Sequence, residues 1–173
     1  MDEGIGLDGF NALPAEQART VLLACCAAPR WAERLTRGRP YRTPEQLFEV
    51  ADEVLADLDD LALLEAVAAH PRIGAPLPAP AGGSQRSADW SSHEQSAVAD
   101  ADESTLAALA EGNRRYEQRF GHVYLVAAGG RTADELLALL HTRLANDPAT
   151  ERRVLRGELA AINRARLARV VGP

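Results

Sequence analysis

Three observations predict an all-α fold for this chain of 173 residues. Its composition is dominated by alanine, leucine and arginine, which all favour helices. Helix start and stop signals recur along its length. Only one run, Val123 to Ala128, reads as a strand. That run is short and apolar, so periodicity does not separate strand from buried helix, and one segment cannot build a sheet. The expected architecture is a single-domain multi-helix bundle, residues 1–173, with one short extended crossing segment. A chain of this size suits one domain and can bury a substantial core.

The elements follow in order. Pro14 sits in the first turn of a helix running through Ala27, which Pro29 stops. Thr43-Pro44-Glu45-Gln46 reads as a capping box with proline at the first helical position, opening a helix to about Asp57. Asp59 or Asp60 caps Leu61 to Ala69, in which Leu61, Leu64 and Ala68 share a face. Pro71 disfavours α geometry at His70, so this helix ends there. Residues 71–87 carry four prolines and three glycines and read as a loop. Later helices are expected over 92–101, 103–119, 133–145 and 148–169. Thr132-Ala133-Asp134-Glu135 is a second capping box, and Asp147-Pro148 is a cap followed by a first-turn proline. The stripe Leu136, Leu137, Leu140, Leu144 is core. Asn113, Tyr116 and Phe120 fall on one helix face, where packing is the safer reading, with Asn113 able to tie a loop.

Charge and composition narrow the function classes. A net charge of −6, with arginines spread among acids, argues against a nucleic-acid surface. No apolar run approaches the roughly 20 residues needed to span a bilayer. Met1-Asp2-Glu3-Gly4 lacks the basic and apolar regions of a signal peptide. Cys25 and Cys26 are adjacent and read as buried free thiols of a reducing cytosol. No zinc-ligand spacing occurs. The expectation is a cytoplasmic, metal-free protein that takes a small molecule or another protein as partner and has no nucleic-acid or membrane surface.

Three strings carry the polar chemistry. In His70-Pro71-Arg72-Ile73-Gly74, an imidazole that ordinarily titrates near 6.5 can serve as acid or base. A histidine at a helix C-terminus also complements the dipole, and for an isolated His-Pro that structural reading is preferred. In Ser91-Ser92-His93-Glu94-Gln95, Ser91 and Glu94 have the spacing of a capping box. A helix start there offers free N–H donors to an anionic or carbonyl-rich ligand. His93 reads as exposed. The third string runs Arg119-Phe120-Gly121-His122-Val123-Tyr124-Leu125-Val126-Ala127-Ala128-Gly129-Gly130-Arg131. Arg131 and Arg166 are candidates for a bidentate grip on a carboxylate, although either alone is better read as a surface arginine. Each motif is weak by itself; the whole set favours a site over the structural readings.

In order and spacing, these strings resemble the 2-oxo-4-hydroxy-4-carboxy-5-ureidoimidazoline (OHCU) decarboxylases of urate breakdown, over about Phe10 to Val170. Arg143-Leu144-Ala145-Asn146-Asp147-Pro148 and Ile162-Asn163-Arg164-Ala165-Arg166-Leu167 extend the likeness. The resemblance implies an all-helical homodimer that needs no cofactor and converts OHCU to (S)-allantoin and CO2. By the same likeness the catalytic histidine falls on His70 and the glutamate on Glu94. Substrate contacts fall on Pro71, on Ser91, Ser92, His93, Glu94 and Gln95, on the backbone of His122, Val123, Tyr124, Leu125 and Val126, and on Arg166. His122 and Val123 stand where some members carry Phe-Pro. Two other classes compete: a non-catalytic helical interaction module of the same fold, and a lyase or hydrolase of another cyclic ureide.

Overall fold

A computed structural model of the chain describes residues 4–75 and 85–172. Among the described residues there are ten helices and no strand, in agreement with the all-α expectation. In chain order these are α1 (Gly6–Ala12), α2 (Ala15–Cys25), α3 (Pro29–Arg37), α4 (Pro44–Ala56), α5 (Asp60–Ala68), α6 (Gln85–Glu94), α7 (Ser96–Ala99), α8 (Glu103–Phe120), α9 (Ala133–Leu144) and α10 (Pro148–Val171). The run 123–128 adopts neither helix nor strand. The chain divides into two compact units, Met1–Ala66 with Ala160–Pro173, and Val67–Leu159.

In the first unit α2 packs on α3 and α3 on α4. Pro29 does not merely stop a helix there. It occupies the first turn of α3, where a missing N–H costs nothing. Pro14 lies one position outside α2, as its N-cap. Trp31 and Leu35 of α3 are fully buried with Leu22 and Leu47, and the Trp31 indole N–H donates to Ala51 O at 2.9 Å. Thr43 caps α4 as expected, accepting from Gln46 N–H at 3.2 Å. The Gln46 side chain closes on Arg42 N–H at 2.7 Å, one residue earlier than a strict capping box requires. Asp59 caps α5 through Ala62 N–H at 2.9 Å. The buried face of α5 is Leu63, Ala66 and Val67; the expected Leu61–Leu64–Ala68 face leaves Leu61 and Ala68 exposed.

The second unit has its own core, in which Leu109, Tyr116, Leu136 and Leu140 are completely buried and Leu137 and Leu144 pack against them. Here α8 lies on α9. Their approach is close: a Cβ added to Gly112 of α8 would stand 2.4 Å from Leu140 Cδ2 of α9. Asp102 caps α8 through Thr105 N–H at 2.7 Å, and Gly121 ends it with φ +77°, the left-handed conformation glycine adopts without strain. The Thr132–Glu135 capping box is complete, with bonds of 3.2 and 2.7 Å. Asp147 caps α10 by accepting from Ala149 and Thr150 N–H at 3.0 Å each. Of the proline-rich stretch expected to be a loop, residues 76–84 lie outside the described residues. Residues 85–87, assigned to that loop, belong instead to α6.

Candidate active site

The site is built in the second unit, from the loop that follows α5. His70 sits just past the helix end, with its N–H donating to Val67 O at 3.0 Å, and is nearly buried. The next four residues act mainly as a mount. Arg72 forms a two-pronged ion pair with Glu117 of α8, at 2.5 and 2.9 Å. This pairing holds the Glu117 carboxyl below its usual range. Ile73 is buried in the core and its carbonyl accepts from the Asn113 amide at 2.9 Å. Gly74 takes φ +77° and donates its N–H to Gln95 Oε1 at 3.1 Å. Asn113 thus ties a loop, as its position suggested, and Gly74 supplies the backbone conformation that side chains resist.

The second string requires a correction. Ser91 to Glu94 form the last turn of α6 and do not start a helix, so neither a capping box nor free N-terminal donors are available there. Ser91 is buried and its carbonyl accepts from Gln95 N–H at 3.1 Å, while Ser92 and His93 are exposed and Glu94 and Gln95 half-buried. Gln95 uses its side-chain oxygen on Gly74; its amide NH2 makes no hydrogen bond among the described residues. A cavity of about 260 Å³ joins the two strings, lined by Gly74, Ala75, Ser92, Gln95, Val98 and Leu106.

The third segment, 122–126, is held from outside. None of the N–H groups of residues 123–126 finds a hydrogen-bond partner among the described residues, although Tyr124, Leu125 and Val126 are buried. Buried backbone donors are rarely left unpaired, so such a strip suits a ligand carrying carbonyl or carboxylate oxygens. The side chains are fixed separately. Tyr124 OH donates to Leu136 O at 3.0 Å, and burial pushes its phenol up to about 12. His122 packs edge-on against Tyr116 and stacks on Phe120. Burial lowers its pKa, the contact with the Val123 carbonyl opposes this, and the Arg152 and Arg143 guanidinium groups lower it further against a smaller opposing pull from Glu151.

Beneath the segment lies a buried polar knot that sequence reasoning missed. Arg143 Nε donates to Glu151 Oε1 at 2.7 Å, Arg143 NH2 reaches Tyr116 OH at 3.2 Å, and Arg143 NH1 reaches Leu125 O at 2.5 Å. Tyr116 OH also donates to Glu151, and Asn146 Nδ2 completes the carboxylate at 2.9 Å. Burial, then the Glu151 bond, raise the Tyr116 phenol far above its ordinary range. Burial pulls the Arg143 pKa down, but Glu151 and the two tyrosines outweigh it and hold the guanidinium charged. No local signal marks the pair, because its members come from two helices and meet only through tertiary packing. Nothing local marks Glu158 either, which accepts from Ala127 N–H at 2.8 Å and lies 3.9 Å from Arg131. Arg131, one of the two candidate anchors, therefore already faces a carboxylate. Arg166 belongs to the first unit, where it is buried and donates to Cys25 O at 3.3 Å.

Comparisons with known proteins cover most of the chain. The family described as OHCU decarboxylase matches residues 11–168. The "Uric acid degradation bifunctional protein TTL" of Arabidopsis thaliana is 30% identical over 146 residues, covering 84% of this chain and 45% of that protein. The chain thus spans less than half the length of this curated relative. A crystal structure of OHCU decarboxylase in the presence of (S)-allantoin superimposes with a TM-score of 0.75 at 27% identity, covering 89% of this chain and 99% of that one. A crystal structure of (S)-allantoin synthase matches with a TM-score of 0.73, covering 96% of this chain and 53% of that one; at 17% identity it speaks for the fold alone.

Proposed function

From the premise that this chain belongs to the OHCU decarboxylase family, we propose that it decarboxylates OHCU to (S)-allantoin and CO2 in urate breakdown. The carboxylate of OHCU sits on a carbon that bears a hydroxyl and adjoins a ring C=N. When the C–CO2 bond breaks, its electron pair forms the carbon–carbon double bond of an enol and the C=N pair moves onto nitrogen, which takes a proton. The enol is then protonated at the ureido-bearing carbon, and its hydroxyl proton leaves as the ring carbonyl forms. The substrate supplies its own electron sink, so the protein's work is orientation, exclusion of water and proton transfer on one face.

His70 carries that proton, assisted by Glu94. The Gln95 NH2 pairs with the ureide while its oxygen stays on Gly74. Ser91, Pro71 and the backbone donors of 123–126 hold the remaining polar edge, with Ser92, His93 and the neighbouring His122 at its margin. The observation that carries this reading is the Gly74–Gln95 bond, which ties the His70 loop to the Glu94–Gln95 turn across one cavity. Among the described residues no helix is long and apolar enough to cross a membrane. The working form is a cytoplasmic homodimer without metal or organic cofactor.

Freshly generated OHCU, followed by ultraviolet absorbance and circular dichroism, tests the reaction. Acceleration with an (S)-handed product is expected. Absence of acceleration would return the chain to the non-catalytic module, and turnover of a different cyclic ureide to the alternative lyase or hydrolase.

A further inference from the structure

We infer that Arg143 and Glu151 are positioning residues for the backbone of 122–126, a role that rests on the substrate contacts proposed above. The segment has no ladder to set its register, because residues 121–132 lie between α8 and α9 with neither helix nor strand. Something outside it must fix where its peptide groups stand. Arg143 does this with one planar fork: Nε and NH2 face Glu151 and Tyr116, and NH1 holds the Leu125 carbonyl. The same guanidinium lies 4.9 Å from the centre of the Tyr124 ring and 5.6 Å from that of Tyr116. Glu151 is saturated in turn by Tyr116, Arg143 and Asn146, so the fork cannot swing to another acceptor without leaving a buried carboxylate unsatisfied.

Stability does not explain such a device. An ion pair whose side chains are 5% and 1% exposed is expensive to desolvate, and well-packed apolar residues often serve the fold as well or better. Apolar residues cannot hold a carbonyl oxygen at a fixed point. Holding Leu125 O orients the peptide plane it shares with the unpaired Val126 N–H, and through the flanking Cα atoms constrains the neighbouring planes that carry the other unpaired N–H groups. With those donors set, the ureide is presented with one face toward the proton source.

Arg143→Lys separates this role from charge and from bulk, because an ammonium cannot reach Glu151 and Leu125 O in the geometry of the fork. The expected result is a fall in kcat of about 10²-fold, typical of misplaced reacting groups, with a loss of enantiomeric purity read by circular dichroism. Cooperative melting should persist. Tyr116→Phe, which keeps the ring and the ion pair but removes the hydroxyl, should show a smaller change in the same direction. In both variants the amide NMR resonances of 123–126 should move while those of 72–75 stay in place. Full kcat and full enantiomeric purity in Arg143→Lys, with an active parent, would overturn this inference and leave the decarboxylase reading standing. Loss of folding in both variants would overturn it too, assigning the pair to the core. An inactive parent protein would overturn both readings together.

Discussion

His70 and the four residues after it divide the labour of one motif. Arg72, Ile73 and Gly74 are held by Glu117, Asn113 and Gln95, and that grip fixes where the chain leaves α5 and therefore where His70 stands. His70→Asn should abolish most turnover, a loss of about 10²–10⁴-fold for a proton-transfer group, with little change in melting temperature. Near-normal rates in that variant would remove His70 from the mechanism. Glu94 no longer has a capping role to explain it, since it ends α6 instead of opening a helix. Glu94→Gln is accordingly expected to cost activity and not stability, and an active, unaltered variant would return it to the surface chemistry of the helix. His122 offers a pH test. Its folded pKa lies below its ordinary 6.5, chiefly through burial. A depressed histidine pKa means the unfolded chain takes up the proton first, so this contribution is complete above about pH 6.5 and is lost as pH falls through the folded pKa. His122→Phe should therefore flatten the acid side of the stability profile. Urea midpoints measured at about pH 7.5 and about pH 5.5 would converge in the variant relative to the parent; an unchanged gap would dismiss His122 as a contributor.

Elements differed from their sequence reading where local signals were ambiguous. The α5 segment is apolar almost all round, so two helical faces were available: Leu61–Leu64–Ala68 and Leu63–Ala66–Val67. Only packing selected the second. For α6 the Ser-x-x-Glu spacing imitated a helix start, yet the helix had begun six residues earlier at Gln85, with a Gln85–Asp89 side-chain bond along its exposed surface. The α8–α9 contact yields a prediction at this scale. Gly112→Ala should improve helix propensity and still destabilise the second unit, because its Cβ would overlap a Leu140 side chain that is itself fully buried. Overpacking of this kind costs about 1–3 kcal/mol. Combining it with Leu140→Val should recover part of the loss, a coupling read from a double-mutant cycle of melting curves. Simple additivity would show that α8 and α9 do not share that contact.

At the scale of the whole molecule, the two cysteines report on unfolding. Both are free and buried, as their adjacency suggested, and burial pushes the Cys26 thiol up to about 11 against the opposing influence of Asn163 and Arg166. Native protein should resist a thiol reagent at neutral pH and yield both thiols in denaturant, with labelling no faster than opening of the first unit. Rapid labelling under native conditions would contradict that burial. The helical class, the caps at Thr43, Thr132 and Asp147, the leucine stripe of α9 and the family were legible in the sequence, whereas the choice of Asp59 over Asp60 as the α5 cap and the loop tie made by Asn113 were left open by it. The legible features are local or periodic properties, set by backbone donors, helical repeat and motif order within a short stretch of chain. Tertiary structure alone decided which face of α5 is buried, that the Ser91–Glu94 turn ends a helix, and that Arg131 faces Glu158. It alone brought Arg143 and Glu151 together under Leu125. An unpaired buried charge costs several kcal/mol, so these groups need one another, but their partners lie on other elements, and no spacing along the chain can reveal a satisfaction that exists only in three dimensions.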